Sequence, residues 1–296
     1  MMEYTAIYTD EDLILLAESL EKRGKSIAVD FEEECNLHVY GEHISIIQVF
    51  DGERFYIIDM LSGKVGKKGL ERFFSSSIEK IWFECHSDLR ILYNKYAVKA
   101  EHVYDLRVLA KALGNIHSLS DIKSQFLGGK IEQGKKKNQM QNWMKRPLTD
   151  SMIDYALSDV KDLFALRVRL DELVDEKKKR KQVEDAMKSI ARIKEQMPSW
   201  MKICNTRMLS RNEKIYLKNF FYARESVAAR FNTPAVNVLE KKEIIRLAKK
   251  EIKDEIILEA ELSSAPQRYR KFLIVEEKKA LRKSLAEIER CQQEGK

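Results

Sequence analysis

Two short stretches of the 296-residue chain set acids where they must act on one another. In SIAVDFEEE, residues 26–34, Asp30 and Glu32 stand two apart in a β-like run that opens with Ile27 and Val29. Side chains alternate along a strand, so the two carboxylates project to the same side. Like charges held close favour a cation between them, and hard divalent ions such as Mg²⁺ or Mn²⁺ bind carboxylate oxygens. In MIDYALSDVKDLFAL, residues 152–166, Tyr155 and Asp159 are one helical turn apart. They border an apolar face made by Met152, Ile153, Ala156, Leu157, Val160, Leu163 and Phe164. A further acid, Asp88, follows the hydrophobic run KIWFE. Each has a plain structural reading: a solvated strand end for Asp30 and Glu32, a helix cap for Asp88, an exposed acid for Asp159 and a half-buried aromatic for Tyr155. Taken singly, none defines chemistry.

The elements that must position these residues follow from patterning. Thr9 precedes DEDLILLAESLEKR as an N-cap with acids in the first turn, and Gly24 stands where a C-terminal cap belongs. Three β-like runs follow, SIAVDF, HISIIQVF and RFYIID, the last two joined by the turn signal DGE. The spacing then predicts a helix near 67–76, a short buried strand at KIWFE, the helix SDLRILYNKY and a brief strand near His102 to Tyr104. DLRVLAKAL, SLSDIKSQFL and one long run from Thr149 to about Arg180 read as helices. Between them lies GGKIEQGKKKNQMQNW, a Gly/Lys/Gln-rich loop of a kind that can hold phosphate. The run EKKKRKQ at 176–182 continues a helical pattern, and Pro198 interrupts it. Beyond it, four amphipathic helices are separated by Pro234, short polar links and Pro266.

This order describes a mixed α/β domain over residues 1–180 and a basic, all-helical domain over 195–296. The net charge of +7 conceals a split between them. Residues 1–176 hold 24 Lys+Arg against 30 Asp+Glu, whereas residues 177–296 hold 30 against 17, or +13. Such a basic half suits a polyanion, with a Lys-rich solubilising surface as the competing reading. Cys35, Cys85, Cys204 and Cys291 are too far apart for a zinc ribbon or a disulfide framework. No run of 18 apolar residues and no basic secretory start is present, so the expected setting is cytoplasmic and away from membranes.

The order Asp-x-Glu on a first strand, Asp after a later strand and Tyr-x-x-x-Asp on a later helix resembles the DEDD superfamily of 3′-to-5′ exonucleases. The match is to its tyrosine subclass and, within that, to the ribonuclease D family. SIIQVF is similar to the family's second strand, with a glutamine at Gln48; VYDLRVLAKALG resembles its Phe-Asp-Thr segment; NWMKRPL resembles its Trp-x-x-Arg-Pro-Leu approach to the last motif. Asp rather than His at position 154 argues against the histidine subclass. The chain departs from the pattern at Phe83 and Glu84, where a histidine is usual, and at Leu106, where threonine is. From Leu209 onward, the helix containing Arg224, Glu225, Ala228, Ala229 and Arg230, then VLEKKEIIRLAKK, resembles an HRDC-like domain.

The resemblance implies a ribonuclease H-like mixed sheet flanked by helices, followed by an all-α HRDC-like domain. It implies that Asp30, Glu32, Asp88 and Asp159 hold two divalent metals, Mg²⁺ or Mn²⁺, and that Tyr155 orients the attacking water. Two such ions activate the water and neutralise the leaving 3′-oxygen. The implied partner is an RNA 3′ end, for example of a tRNA precursor, released as nucleoside 5′-monophosphates, with no obligate protein partner. Gln48, Lys135, Lys136, Lys137, Trp143 and Arg146 are the expected nucleic-acid contacts. Trp143 reads somewhat more readily as a core tryptophan than as a stacking platform, and Arg146 reads equally as a cap on the neighbouring structure. Two alternatives stand beside this one: an exonuclease directed to single-stranded DNA, and a catalytically silent exonuclease fold that binds RNA. Recognition of the 2′-hydroxyl divides the first from the main reading. Retention of all four acids and the tyrosine weighs against the second.

Overall fold

The computed structural model describes residues 2–128, 140–190, 197–206 and 208–294. The chain divides into two compact units, Met1–Glu34 with Glu42–Lys194, and Cys35–Gly41 with Glu195–Lys296.

The first unit is built on six strands: β1 (Tyr4–Ile7), β2 (Ile27–Cys35), β3 (Glu42–Phe50), β4 (Phe55–Asp59), β5 (Lys80–Trp82) and β6 (Val103–Asp105). Their order across the sheet is β1-β4-β3-β2-β5-β6. Strands β3 and β4 pair antiparallel through the DGE turn, with Gln48 opposite Ile57. The β1–β4, β2–β5 and β5–β6 pairs are parallel. Strand β1 was not foreseen. Its four residues are too few for a periodic signal, and its partner, β4, lies some fifty residues away, with Tyr4 beside Phe55.

Helix α1 (Asp10–Arg23) starts and stops as its sequence dictates. The Thr9 side chain accepts from the Asp12 N–H, Asp10, Glu11 and Asp12 fill the first turn, and Gly24 turns left-handed at φ +61°. Helices α2 (Lys67–Phe74) and α3 (His86–Tyr96) complete this layer. Leu13, Leu16, Leu70, Phe73, Leu89 and Leu92 bury against Ile27, Val29 and Phe31 on one face of the sheet. The opposite face, with Ala28 and Ile81, is covered by α4 (Leu106–Ala112), α5 (Leu119–Lys123), α6 (Asp150–Lys161), α7 (Leu163–Glu176) and α8 (Arg180–Ile190). Lys80, wholly buried in β5, donates to the carbonyls of Ser76, Ile78 and Glu101 and closes the loops around that strand. Desolvation lowers its pKa to about 8.

The single helix expected from Thr149 to Arg180 is in fact interrupted. Helix α6 ends at Lys161, where Lys123 donates to the Ser158 carbonyl and pairs with Asp162 at 2.6 Å. These contacts satisfy the polar groups freed by the break. The lysine run breaks it again, because Lys178 takes φ +54°. Arg180 then reaches back to Asp175 at 2.8 Å and to Asp171, anchoring α8 to α7.

The second unit contains α9 (Ser199–Thr206), α10 (Arg211–Arg230), α11 (Ala235–Val238), α12 (Lys241–Lys249), α13 (Glu255–Glu261) and α14 (Gln267–Glu294). The short helices α9 and α11 add to the four amphipathic ones expected. A capping box at Ser210 and Glu213 opens α10. Leu217, Phe220, Val227 and Ala228 of that helix pack with Ile244, Leu247, Leu258, Leu273 and Leu281.

Glu277 in α14 is fully buried, and neither of its oxygens has a hydrogen-bond partner. Burial pushes its carboxyl well above the usual carboxylate range, an effect that the Arg224 charge opposes and Glu276 reinforces. The folded chain therefore retains a proton that the unfolded chain releases near pH 4.3. This contribution to stability is complete below that pH and is lost as pH rises through the folded value. Glu277→Met is expected to raise stability at pH 7 by about 1–3 kcal/mol and to flatten the decline between pH 5 and 8. Urea unfolding of the full chain across that pH range tests both effects.

Candidate active site

Strand β2 carries the first two acids on its Ala28 face, where alternation places Asp30 and Glu32 together. Helix α6 crosses the same side of the sheet, packing Met152, Ile153, Ala156 and Leu157 against Ile46 and Ile57. Its start is fixed by the Thr149 side chain, which accepts from the Met152 N–H. That placement brings Asp159 to the strand acids: carboxylate oxygens of Asp30, Glu32 and Asp159 lie within 4.8 Å of one another. Glu32 and Asp159 are each only 8% exposed. Three oxygens so close and so shielded from water form a donor set suited to a hard divalent cation.

The surroundings supply donors to these acids. Gln48 on β3 is buried and directs its Nε2 at Glu32 Oε1, 3.4 Å away. Tyr155 hydrogen-bonds to Asp159. Burial, then the charges of Asp159, Glu32 and Asp30, raise its phenol far above the usual range. The hydroxyl therefore stays protonated and remains a donor.

Asp88 lies outside the three-acid group. Its Oδ2 accepts from Trp82 Nε1 at 3.0 Å, and it is about as buried as Glu32 and Asp159. Burial raises its pKa most, followed by the charges of Asp30 and Glu33, so it shares the field of the cluster while its carboxylate is held by the indole. The turn before it is set by Asp105, which accepts from the backbone N–H groups of Glu84, Cys85 and Arg107 and from the Cys85 thiol. Glu84 adopts φ +67° in that turn. Trp82 and Asp105 were not recognised as members of the site. A buried indole at the end of the strand that delivers an acid, and an acid closing the adjacent parallel strand, were the available signals.

The expected nucleic-acid contacts fare differently. Lys135, Lys136 and Lys137 lie outside the described residues. Trp143 is 1% exposed and its ring centre is 6.2 Å from that of Tyr155, so a stacking base has no access to it. Arg146 donates to both Asp59 oxygens at 2.8 Å and to the carbonyls of Trp143 and Ser45, leaving its fork engaged within the protein. Gln48 faces Glu32. These three residues build the site from inside, because the approach to α6 must be tied to the sheet before the helix can deliver Tyr155 and Asp159. Asp154, at the position that separates the subclasses, accepts from the Met2 N–H.

Comparison with known proteins agrees with this geometry. Residues 4–175 match the 3′-5′ exonuclease family DNA_pol_A_exo1. The chain belongs to that family of 3′-5′ exonucleases. Within it, the resemblance is to ribonuclease D. Ribonuclease D of Haemophilus influenzae is 26% identical over 156 residues, covering 52% of this chain and 38% of that protein. The Escherichia coli enzyme is 27% identical over 172 residues, covering 57% and 44%. The chain thus spans less than half the length of these curated relatives. The fold is shared with the crystal structure of Escherichia coli RNase D, an exoribonuclease involved in structured RNA processing, at a TM-score of 0.74, 22% identity and 94% and 75% coverage. The catalytic core of RRP6 from Trypanosoma brucei gives 0.74, 20%, and 97% and 80%. The mixed sheet with flanking helices is therefore that of the exonuclease fold.

Two substitutions separate structural from functional roles. Trp82→Phe removes the N–H that holds Asp88 and keeps an aromatic ring, though a smaller one, at that buried position. It is expected to weaken Mn²⁺ binding roughly 10-fold, as loss of a partner behind a ligand does, and calorimetric titration reads that change directly. Arg146→Ala is expected to cost about 1–3 kcal/mol of stability with RNA affinity unchanged. Denaturation and an RNA-binding titration together check it.

Proposed function

We propose that the chain is a metal-dependent 3′-to-5′ exoribonuclease of ribonuclease D type, which trims RNA 3′ ends, tRNA precursors and other structured RNAs included, and releases nucleoside 5′-monophosphates. The observation that carries the reading is the meeting of Asp30, Glu32 and Asp159, with Tyr155 bonded to Asp159, inside a unit of the 3′-5′ exonuclease family. In this reading residues 1–180 are the nuclease domain and residues 195–296 an HRDC-like domain that grips the substrate, acting in the cytoplasm. The donor set of oxygens, with no nitrogen or sulfur, fits two Mg²⁺ or Mn²⁺ ions.

Divalent ions bound here would acidify a water and neutralise the charge that grows on the leaving 3′-oxygen. The chain's own groups do the positioning. Asp30, Glu32 and Asp159 hold the cations, with Asp88 contributing from the Trp82 side. The Tyr155 hydroxyl, a phenol with an ordinary pKa near 10, orients the attacking water from its place beside Asp159. Gln48 steadies Glu32 by its amide. Burial of the cluster excludes bulk water, which strengthens each of these interactions.

Incubating 5′-labelled RNA and DNA strands with Mg²⁺, Mn²⁺ or EDTA and resolving the products on a sequencing gel tests the reading. A metal-dependent ladder shortening from the 3′ end of RNA is the expected result. Asp30→Asn and Asp159→Asn should each lower the rate by more than the ~10–100-fold seen when an outer partner is lost, with RNA still bound in EDTA. An equal ladder on DNA would reassign the substrate. Undiminished cleavage in both variants would reject the site.

A further inference from the structure

The second unit holds a cluster of cations whose charges are not matched by acids. Three other arginines of that unit have glutamate partners: Arg224 with Glu225, Arg246 with Glu243 and Arg282 with Glu255. Arg230, at the end of α10, and Arg268 and Lys271, in the first turns of α14, have no carboxylate partner among the described residues, and all three are exposed. Aromatic rings hold the two guanidinium groups instead. Arg230 lies 4.1 Å from the centre of the Phe272 ring. Arg268 lies 5.5 Å from that of Tyr269 and 5.9 Å from that of Phe231. The rings are packed edge to face, Phe231 being 5.2 Å from Tyr269 and 5.1 Å from Phe272.

This arrangement has two physical consequences. A guanidinium stacked on a ring keeps the N–H donors on its edge, and its orientation is set before any ligand arrives. The stacking also occupies ring area that a nucleobase would need. The cluster is therefore equipped for phosphate oxygens and poorly equipped to read bases. Beside it runs a cleft of about 300 Å³ lined by Arg230, Lys271 and Phe272, with the Ser226 hydroxyl as a further donor. The one acid lining it, Glu276, is paired with Lys279 at 2.7 Å.

We propose that this cleft seats the backbone of single-stranded RNA, with Arg230, Arg268 and Lys271 each meeting a phosphate. The proposal rests on the RNA-directed reading above and gives it a second site, one that adds affinity without sequence preference. A guanidinium fork pairs with carboxylate and phosphate alike, so the choice of RNA over an acidic peptide follows from the exonuclease unit carried by the same chain.

The test is fluorescence anisotropy of a labelled single-stranded RNA with the full chain in EDTA, titrated across about 50–200 mM salt. Each lost phosphate contact removes about 0.7 from the slope of log affinity against log salt for a single strand. Arg230→Ala/Arg268→Ala/Lys271→Ala should therefore flatten the slope by about 2 and weaken binding on the order of a hundredfold at the lowest salt. Lys271→Glu, at an exposed position with no ring contact, should weaken it without altering the thermal melt. Affinity and slope equal to those of the unaltered chain in both variants would overturn the proposal. So would binding of poly-glutamate as tight as that of RNA. Hydrolysis of the p-nitrophenyl ester of uridine 5′-phosphate, with its single phosphodiester and its 2′-hydroxyl, tests the nuclease reading separately. If the ester were not cleaved while the variants still lost RNA affinity, the nuclease reading would fail and the cleft would stand.

Discussion

Charge repulsion at the junction of β2 and α6 is the constraint around which the first unit is organised. Two carboxylates 4.8 Å apart at an effective dielectric of 20 repel by about 3.5 kcal/mol. With three acids mutually that close, the arrangement is costly wherever no cation is bound. Folding must supply the energy to assemble it. The strand-helix packing does so: Met152, Ile153, Ala156 and Leu157 bury against Ile46 and Ile57, and that apolar contact holds Asp159 over the strand acids.

The donors around the cluster are consequences of the same constraint. Gln48 at Glu32, Tyr155 at Asp159 and Trp82 at Asp88 each offer a hydrogen to a carboxylate that burial would otherwise leave poorly solvated. They also limit how each acid can rotate, so they fix where ligand oxygens point. Asp88 is set a step apart from the other three for this reason. The first turn of α3 places it in the field of Asp30, and Trp82 Nε1 holds one of its oxygens. Arg146 and Asp105 extend this logic outward, one tying the loop before α6 to β3 and β4, the other closing the turn into α3.

The second unit answers a different electrostatic problem, that of excess positive charge. Arg246 with Glu261 and Arg282 with Glu255 tie helices of the unit together, whereas the stacked arginines are held by rings and keep their charge available. The buried Glu277 is an exception within it. No partner satisfies its oxygens, and it is retained at a cost to stability near neutral pH.

Much of the site was legible in the chain itself, because the relevant periodicities are local. Two residues on a strand share a face and four residues on a helix share a turn, so Asp30 with Glu32 and Tyr155 with Asp159 were readable as pairs. Caps at Thr9, Gly24 and Thr149 were legible for the same reason. Strand β1, the breaks at Asp162 and Lys178 and the inward roles of Trp143 and Arg146 were not. All but the break at Lys178, which closes on nearby Asp175, depend on a partner distant in sequence: β4 for β1, Lys123 for Asp162, Ser45 for Trp143, Asp59 for Arg146. The sequence alone determined which residues can bind a cation, which belong on one face, and that the basic half is separate from the acidic one. Only the tertiary structure decided that three acids converge while Asp88 stands aside, and which arginines retain an unmatched charge. Those outcomes depend on long-range packing and on the competition among donors for each carboxylate, neither of which has a period that a linear pattern can display.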